Sequence, residues 1–586
     1  MDTKLLGKNH SVGLGHARLS IIDLSEDANQ PMRYGDLTIV FNGEIYNFRE
    51  IKKELNKLGH KFTANSDTEV ILHAFQEWKE KCVNRFIGMF VFAVFDENKN
   101  DLFIFGDRTG VKPLYYSYSA SDFIFGSELK ALCEVPNFSR DIDLDATGQY
   151  FKVGYVPAPR SIYKSAKKLE PAHYLRLNLN NWNVRIEKYW NVFDFYRAPK
   201  FNLSYEEARD ELERLLISAY NYRMVSDVPV GIFLSGGYDS SSIAAIVQKT
   251  RSERVKTFTI GFEEGNNEAP EARKIARYLG TEHTEYTCTT RDAQDIIPSL
   301  SYFYDEPFAD SSAIPTMLVS RIARKDVAVA LSADGGDETF LGYGAYDTFM
   351  RFLKISSCIP SCAHKIAACS AMICGNLFDN SSLSRFGDIL KVYSQCGKYS
   401  SAFEILTSSL DSEVFKFLKT KNASLGYSEY EFISNPLEVL QAIDYVRYLP
   451  GDIMTKVDRA TMSVSLEGRE PLLDHRLIEF SARLPVEYKY SGGIKKKIFK
   501  DIVHRYIPKE LMDRPKSGFT LPINNWLRGD LRIFLEDFLS PSSLRKTGIF
   551  NLQGVEKLKN NFLKKNTRKD TIWKILQFQM WAQRWL

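Results

Sequence analysis

Leu234-Ser235-Gly236-Gly237-Tyr238-Asp239-Ser240 lies between an apolar, strand-like run over residues 228–234 and a stretch of helical periodicity over residues 241–248. Strand, glycine loop and helix in that order make an anion cradle. Glycines let the backbone turn sharply and approach phosphate oxygens, and the amides of the helix start are aligned with its dipole. Ser235 and Ser240 add hydroxyls, and Asp239 is placed to hold Mg²⁺ against the same oxygens. The loop is neither G-x-x-x-x-G-K-[ST] nor G-x-G-x-x-G, so it is not a Walker or a dinucleotide loop.

Downstream, strand-like runs at residues 255–260 and 327–331 alternate with helical stretches, the pattern of a parallel α/β sheet. A second cluster, Leu331-Ser332-Ala333-Asp334-Gly335-Gly336-Asp337-Glu338, follows the last of these runs, where open α/β sheets bind ligands. From about residue 337 onward the chain reads as mostly helical. Upstream, Ser204-Tyr205-Glu206-Glu207 matches a capping box that opens a helix reaching about Arg223. The aromatic, proline-containing stretch 190–202 before it has no periodicity and marks a boundary, giving domains at 1–195 and 203–586. The first of these is strand-rich, with runs at 37–41, 89–95, 102–105 and 123–125 and helical stretches at 47–58 and 68–78, an α+β arrangement.

At 586 residues and 44% hydrophobic content the chain needs more than one core. Lys+Arg 77 against Asp+Glu 73 leaves a net charge of +4, which gives no global reason to expect nucleic acid or a membrane as partner. Lys495-Lys496-Lys497 reads as solvated surface, and Trp573, Trp581 and Trp585 lie in an amphipathic packing helix. The eight cysteines lack disulfide or zinc spacing, and Met1-Asp2-Thr3-Lys4 opens no signal-like apolar run, so a reducing cytoplasm is expected. Ile355, Cys358, Ile359, Cys362, Ile366, Cys369 and Ile373 fall at helical spacing and are expected to form one buried face. Lys354, His364 and Lys365 break that segment as a membrane span. No internal repeat or low-complexity tract occurs.

The Ser-Gly-Gly-x-Asp-Ser loop resembles the PP-loop of ATP pyrophosphatases. Together with Asp305-Glu306-Pro307-Phe308-Ala309-Asp310-Ser311-Ser312 and the cluster at 331–338, it resembles the glutamine-hydrolysing asparagine synthetase family. The likeness spans nearly the whole chain. Gly15-His16-Ala17-Arg18-Leu19-Ser20-Ile21-Ile22-Asp23, Phe41-Asn42-Gly43-Glu44-Ile45-Tyr46-Asn47 and Ser66-Asp67-Thr68-Glu69 look like its class II glutaminase domain. Lys456-Val457-Asp458-Arg459, the run from Ser465 to Asp474, and Arg514-Pro515-Lys516-Ser517-Gly518-Phe519 look like its synthetase domain.

The resemblance implies an α+β Ntn-hydrolase-like sandwich, truncated at its start, followed by an α/β PP-loop ATP pyrophosphatase domain with a helical C-terminal part. It implies that a carboxylate, by default that of aspartate, is adenylated by ATP with Mg²⁺ and amidated by ammonia taken from glutamine. A sugar carboxylate of surface-polysaccharide pathways is the alternative acceptor, and a homodimer is compatible with the family.

Arg18, Leu19, Ser20, Ile21, Ile22, Asn42, Gly43, Glu44 and Asp67 would bind glutamine, with Asn42 and Gly43 as oxyanion donors. Leu234, Ser235, Gly236, Gly237, Asp239, Ser240, Ile260, Ser332, Ala333 and Lys516 would bind ATP, and Asp239 with Asp337 would hold the metal. Asp334 would be the acid at the reaction centre, where the family commonly has Glu, with Lys456, Arg459 and Lys516 as cations facing pyrophosphate.

Three departures stand out. Tyr238 replaces the family's usual Leu, and Glu470 replaces a frequently apolar residue. The N-terminal cysteine nucleophile of class II glutaminases has no counterpart, since Met1 is followed by Asp2 and the first cysteine is Cys82, which reads as core. The two expectations are a start at an internal Met of a longer product or a loss of glutaminase chemistry, and retention of Arg18, Asn42, Gly43, Glu44 and Asp67 favours the first.

Overall fold

The computed structural model describes residues 3–6, 11–263, 267–377, 381–396, 398–408, 418, 425–426, 433–513, 521–565 and 569–586. Alternation of side chains decides its first layer. Along Leu37–Ile45, Leu37, Ile39 and Phe41 enter one hydrophobic cluster and Val40 the opposite one. Along Gly88–Asp96, Phe90, Phe92 and Val94 face the first cluster while Val91, Ala93 and Phe95 face the second. Apolar residues at both phases of a two-residue period mean that both faces must be covered.

Helices Phe48–Lys57 and Asp67–Trp78 cover one face through Ile51, Leu55, Val70 and Phe75. The three-stranded sheet of Phe123–Gly126, Tyr115–Tyr118 and Lys167–Lys168 lies on the other side, contributing Tyr116, Phe123 and Phe125. The main sheet is antiparallel, in the order Asn183–Lys188, His173–Asn178, Asp101–Gly106, Gly88–Asp96, Leu37–Ile45, Met32–Tyr34. This is the expected α+β arrangement.

The second layer system is a five-stranded parallel sheet in the order Glu282–Cys288, Lys256–Phe262, Val230–Phe233, Val329–Leu331, Glu467–Arg469. Val230–Phe233 is central and its two neighbours, both later in the chain, lie on opposite sides of it, so the loops after Phe233 and Leu331 leave one edge side by side. That is the crevice where such sheets take ligands. The capping box is present: Ser204 accepts from the Glu207 amide, and Tyr205–Arg223 follows as a helix. The helix after the phosphate loop runs Tyr238–Lys249, three residues earlier than its apolar periodicity suggested, which puts Asp239 and Ser240 in its first turn.

The segment at 355–373 corrects the expectation of one buried helix. Gly344–Ser357 ends before Pro360, and a new helix runs His364–Leu377. Ile355, Ile366 and Ile373 are exposed, as are Cys358, Cys362 and Cys369. The boundary stretch is also more ordered than its composition implied. Val192–Arg197 is a short helix, the Trp190 indole donates to Glu479 at 2.7 Å, and Lys200 pairs with Glu438 at 2.5 Å. The C-terminal helix Lys569–Trp585 packs as expected: Trp573, Trp581 and Trp585 are buried and donate to the carbonyls of Ala309, Asp305 and Ser301. Among the described residues no helix is long and apolar enough to cross a membrane.

Phe92 is fully buried and stacks on Phe105 with ring centroids 4.6 Å apart. Phe92→Ala should cost about 3–5 kcal/mol of stability, read as a lower denaturant midpoint of the unfolding transition.

Candidate active site

The phosphate loop borders a cavity of about 520 Å³ lined by residues of both ligand loops and by Lys456, Lys496 and Tyr343. Within the loop, the Ser240 hydroxyl accepts from the Ser235 amide at 3.1 Å and lies 3.0 Å from the Ser235 hydroxyl. Ser235 Oγ in turn accepts from the Gly237 amide at 3.3 Å. Gly237 caps the following helix without a side chain, so the amides of the helix start face the cavity unobstructed, beside Asp239 and Ser240 of the first turn. Leu234 and Ile260, both buried, form the apolar wall beside it, and Ser332 and Ala333 the opposite one. The ATP-site residues expected from sequence therefore converge on one cavity, except Lys516, which lies outside the described residues.

Sequence reading missed the cation that organises this cavity. Lys496 Nζ lies 2.7 and 2.6 Å from the two carboxylate oxygens of Asp239 and 2.7 Å from Asp337. Burial opposes its charge, but Asp239 and Asp337 outweigh that and hold its pKa above the ordinary lysine range. The Lys495–Lys497 run is thus no solvated patch. Tyr490–Ser491 and Ile494–Lys495 form a hairpin around Gly492-Gly493, and Lys496 follows it in a left-handed conformation at φ 55°. Gly342 completes the fit: a Cβ there would sit 1.9 Å from Asp337 and 2.1 Å from Lys496. The only signal in the sequence was a Gly-Gly turn before lysines.

Asp334 accepts from the Ser332 hydroxyl at 2.5 Å and lines the cavity. Lys456 also lines it and pairs with Asp310 at 3.2 Å; burial works against its charge, but Asp310, Asp334 and Asp452 raise its pKa. Arg459 differs from expectation. It is buried away from the cavity wall, donates to the Ser127 carbonyl at 3.1 Å and pairs with Glu128 at 3.1 Å and Asp305 at 3.5 Å. One helical turn separates it from Lys456 on Thr455–Met462, which points it at the N-terminal domain instead of at phosphate.

In the N-terminal domain, Asn42 and Gly43 lie inside Leu37–Ile45, which continues beyond the run expected to end at 41. Gly43 has φ 138°, and a Cβ there would meet the Met89 carbonyl oxygen at 2.1 Å. Asn42 donates to the Ser127 hydroxyl at 3.3 Å. Asp67 accepts from the Ile45 amide at 2.9 Å; burial pushes its carboxyl up to about 6 despite that bond. Glu44 is buried beside it, and burial with the nearby Glu467 and Asp67 charges raises its pKa well above the carboxylate range.

Arg18 is turned onto its own loop, donating to the carbonyls of Ser25, Ile22 and Asp23 and to Asn29. Leu19 packs against the N-terminal core, where Ile21 and Ile22 are buried, while Ser20 is half-buried. Cys82 is fully buried and burial pushes its thiol up, the behaviour of a core residue.

The asparagine synthase family model matches residues 211–583, and a glutamine amidotransferase domain model matches residues 2–190. The chain belongs to the asparagine synthase family. It is similar to asparagine synthetase [glutamine-hydrolyzing] 1 of Bacillus subtilis (strain 168), at 32% identity covering 97% of this chain and 89% of the relative. A putative asparagine synthetase [glutamine-hydrolyzing] 2 of Methanocaldococcus jannaschii is 41% identical over 57% of this chain and 68% of its own length. A putative asparagine synthetase [glutamine-hydrolyzing] of Mycobacterium bovis is 32% identical over 89% of this chain and 81% of its own.

Glu470 is buried at 4% exposure, and its Oε2 has no hydrogen-bond partner. Burial pushes its carboxyl up to about 8, with Lys112 opposing and Asp334 and Asp458 adding to the rise. A carboxyl raised on folding contributes stability that is complete below its unfolded pKa of about 4.3 and is lost as pH rises through its folded value. Glu470→Gln should remove that loss. Melting temperatures of parent and variant should then diverge in the variant's favour between pH 5 and pH 9.

Proposed function

We propose that the chain is an ATP-dependent carbon–nitrogen ligase that converts aspartate to asparagine, with AMP and pyrophosphate as the other products. The observation that carries this reading is the cavity in which a Ser-Gly-Gly-x-Asp-Ser loop, two carboxylates and the buried Lys496 ammonium meet. Residues 1–195 are read as the Ntn-type glutaminase domain and 203–586 as the PP-loop synthetase domain.

In the synthetase domain the acceptor carboxylate attacks the α-phosphorus of ATP, and the bond to the bridging oxygen of pyrophosphate breaks. The loop amides, Ser235, Ser240 and Lys496 are assigned to the phosphate oxygens, where fixed donors stabilise the charge that develops. Lys456 flanks the same cavity. Ammonia then attacks the acyl carbon, its proton passes to Asp334, and AMP leaves. Asp334 is one methylene shorter than Glu, and the bond it accepts from Ser332 holds the carboxylate at the cavity wall, which supports this assignment.

Asp239 and Asp337 suit a divalent cation shared with phosphate: both present hard oxygens, and together they already balance one positive charge. When bound, Mg²⁺ supplies neutralisation of the phosphate charge. In the glutaminase domain, Asn42 and the Gly43 amide are assigned to the oxyanion, Glu44 and Asp67 to the α-ammonium of glutamine, and Arg18 to its α-carboxylate.

Asp239→Asn and Ser235→Ala should each lower ATP-dependent pyrophosphate release, assayed with aspartate and ammonium, by about 10²-fold or more while leaving the chain folded. Activity at the parent level in either variant would remove the phosphate-loop assignment. Asp334→Asn should cut asparagine formation from ammonium by about 10²-fold or more, because an amide cannot take the proton; amide production near the parent rate would make Asp334 a turn residue.

A further inference from the structure

Arg469 is completely buried at the junction of the two domains. Its Nη1 donates to the carbonyls of Arg223 at 2.8 Å and Val225 at 2.6 Å, and its Nε to Glu467 at 2.7 Å. The remaining nitrogen, Nη2, faces Glu44 of the N-terminal domain at 3.6 Å, beyond hydrogen-bond reach. Neither that nitrogen nor Glu44 Oε2 has a hydrogen-bond partner, although both are buried. Tyr46, two residues after Glu44, places its ring under both Arg469 and Arg223, at 5.2 and 4.7 Å. The short approach is to Glu44 Oε1, so Nη2 and Oε2 are each left without a mate, which is costly for buried polar atoms and leaves the Arg469–Glu44 contact the weakest that this guanidinium makes.

The backbone of the same residue belongs to the nucleotide site. Arg469 ends the edge strand Glu467–Arg469, in register with Leu331, and its carbonyl accepts from the Ser332 amide at 2.8 Å. Ser332 in turn donates its hydroxyl to Asp334. Glu44, Arg469, Ser332 and Asp334 are thus joined by three successive contacts. A ligand ammonium that draws Glu44 to itself takes away the carboxyl that faces the Arg469 guanidinium. Any shift of that side chain acts on a strand end bonded to the loop that carries Asp334.

We propose that Arg469 is a positioning residue that couples occupancy of the Glu44–Asp67 pocket by an α-amino acid to nucleotide affinity at the Ser332–Asp334 loop. The proposal rests on the reading of that pocket as the glutamine site. Contiguity alone does not establish coupling; a measured change in affinity does, and by linkage each ligand must then change the other's affinity by the same factor.

The test is isothermal titration of the full chain with L-glutamine and with α,β-methylene-ATP, each in the absence and in saturating presence of the other. In the parent, glutamine should change the nucleotide Kd by about fivefold or more, and the reciprocal titration should give the same factor. Arg469→Lys keeps the charge beside Glu467 but cannot span both carbonyls and Glu44. It should bring the factor to within about twofold of unity while each ligand alone binds as in the parent and the melting temperature holds.

If Arg469→Lys does not fold, the charge-balanced pair Arg469→Gln with Glu467→Gln replaces it, with the same expectation. A factor of one in the parent, or undiminished coupling in the folded variants, overturns the proposal. Nucleotide binding with no glutamine binding in the parent overturns instead the glutamine-pocket reading, and the proposal with it.

Discussion

Two carboxylates in the first turns of helices that follow neighbouring strands repel each other, and this site must also receive a polyphosphate. The Lys496 ammonium, in contact with Asp239 and Asp337 together, is the constraint that makes such a convergence tenable. Much of the local architecture serves that one charge. The hairpin over 490–495 delivers it, the left-handed backbone at Lys496 turns it inward, and Gly342 leaves the space it fills. Sheet order does the rest, since only a central Val230–Phe233 flanked by Lys256–Phe262 and Val329–Leu331 brings both acidic loops to one edge.

The domain junction obeys the same rule with different partners. Lys112 reaches Asp458 at 3.0 Å, Arg459 reaches Glu128, and Arg469 faces Glu44, each a buried cation from one domain meeting an acid of the other. Buried pairs of this kind seldom add stability over well-packed apolar side chains, because desolvation consumes the Coulombic gain. Their distinctive effect is register: an apolar interface can slide, whereas a guanidinium that spans several fixed acceptors cannot. Arg459 and Lys456 share one helix, so the register of the junction and the position of a cavity lysine are set by the same element.

Elements with a strong apolar period were legible in the sequence. Gly88–Asp96 and Tyr205–Arg223 lie where an apolar run and a capping box placed them, while Leu37–Ile45 starts where expected but continues past residue 41 through Asn42 and Gly43. The strands Glu282–Cys288 and Glu467–Arg469 were not, because both are sheet edges with polar composition and their pairing comes from tertiary context. The break at Pro360 defeated a helical period that ran straight through it, and three of the four isoleucines assigned to the core by that period, Ile355, Ile366 and Ile373, are exposed, while Ile359 is partly buried. At the site, loop residues with their own motif were found by spacing. Lys496 was not, since its role depends on a hairpin fold-back across more than two hundred residues to Asp239.

Tyr238 shows why a departure inside a motif need not disturb the motif's chemistry. The cradle is made by amides and short hydroxyls of residues 235–240, and a side chain at the first helical position is free to point elsewhere. Tyr238 directs its hydroxyl to His504 at 3.3 Å and packs its ring edge-on against the imidazole at 5.5 Å, while the Lys500 ammonium sits 4.9 Å from the ring centre. The aromatic is therefore absorbed by the helix that begins at Lys497, not by the phosphate loop. Tyr238 thus shapes one wall of the cavity and leaves intact the backbone donors that an adenylating enzyme requires.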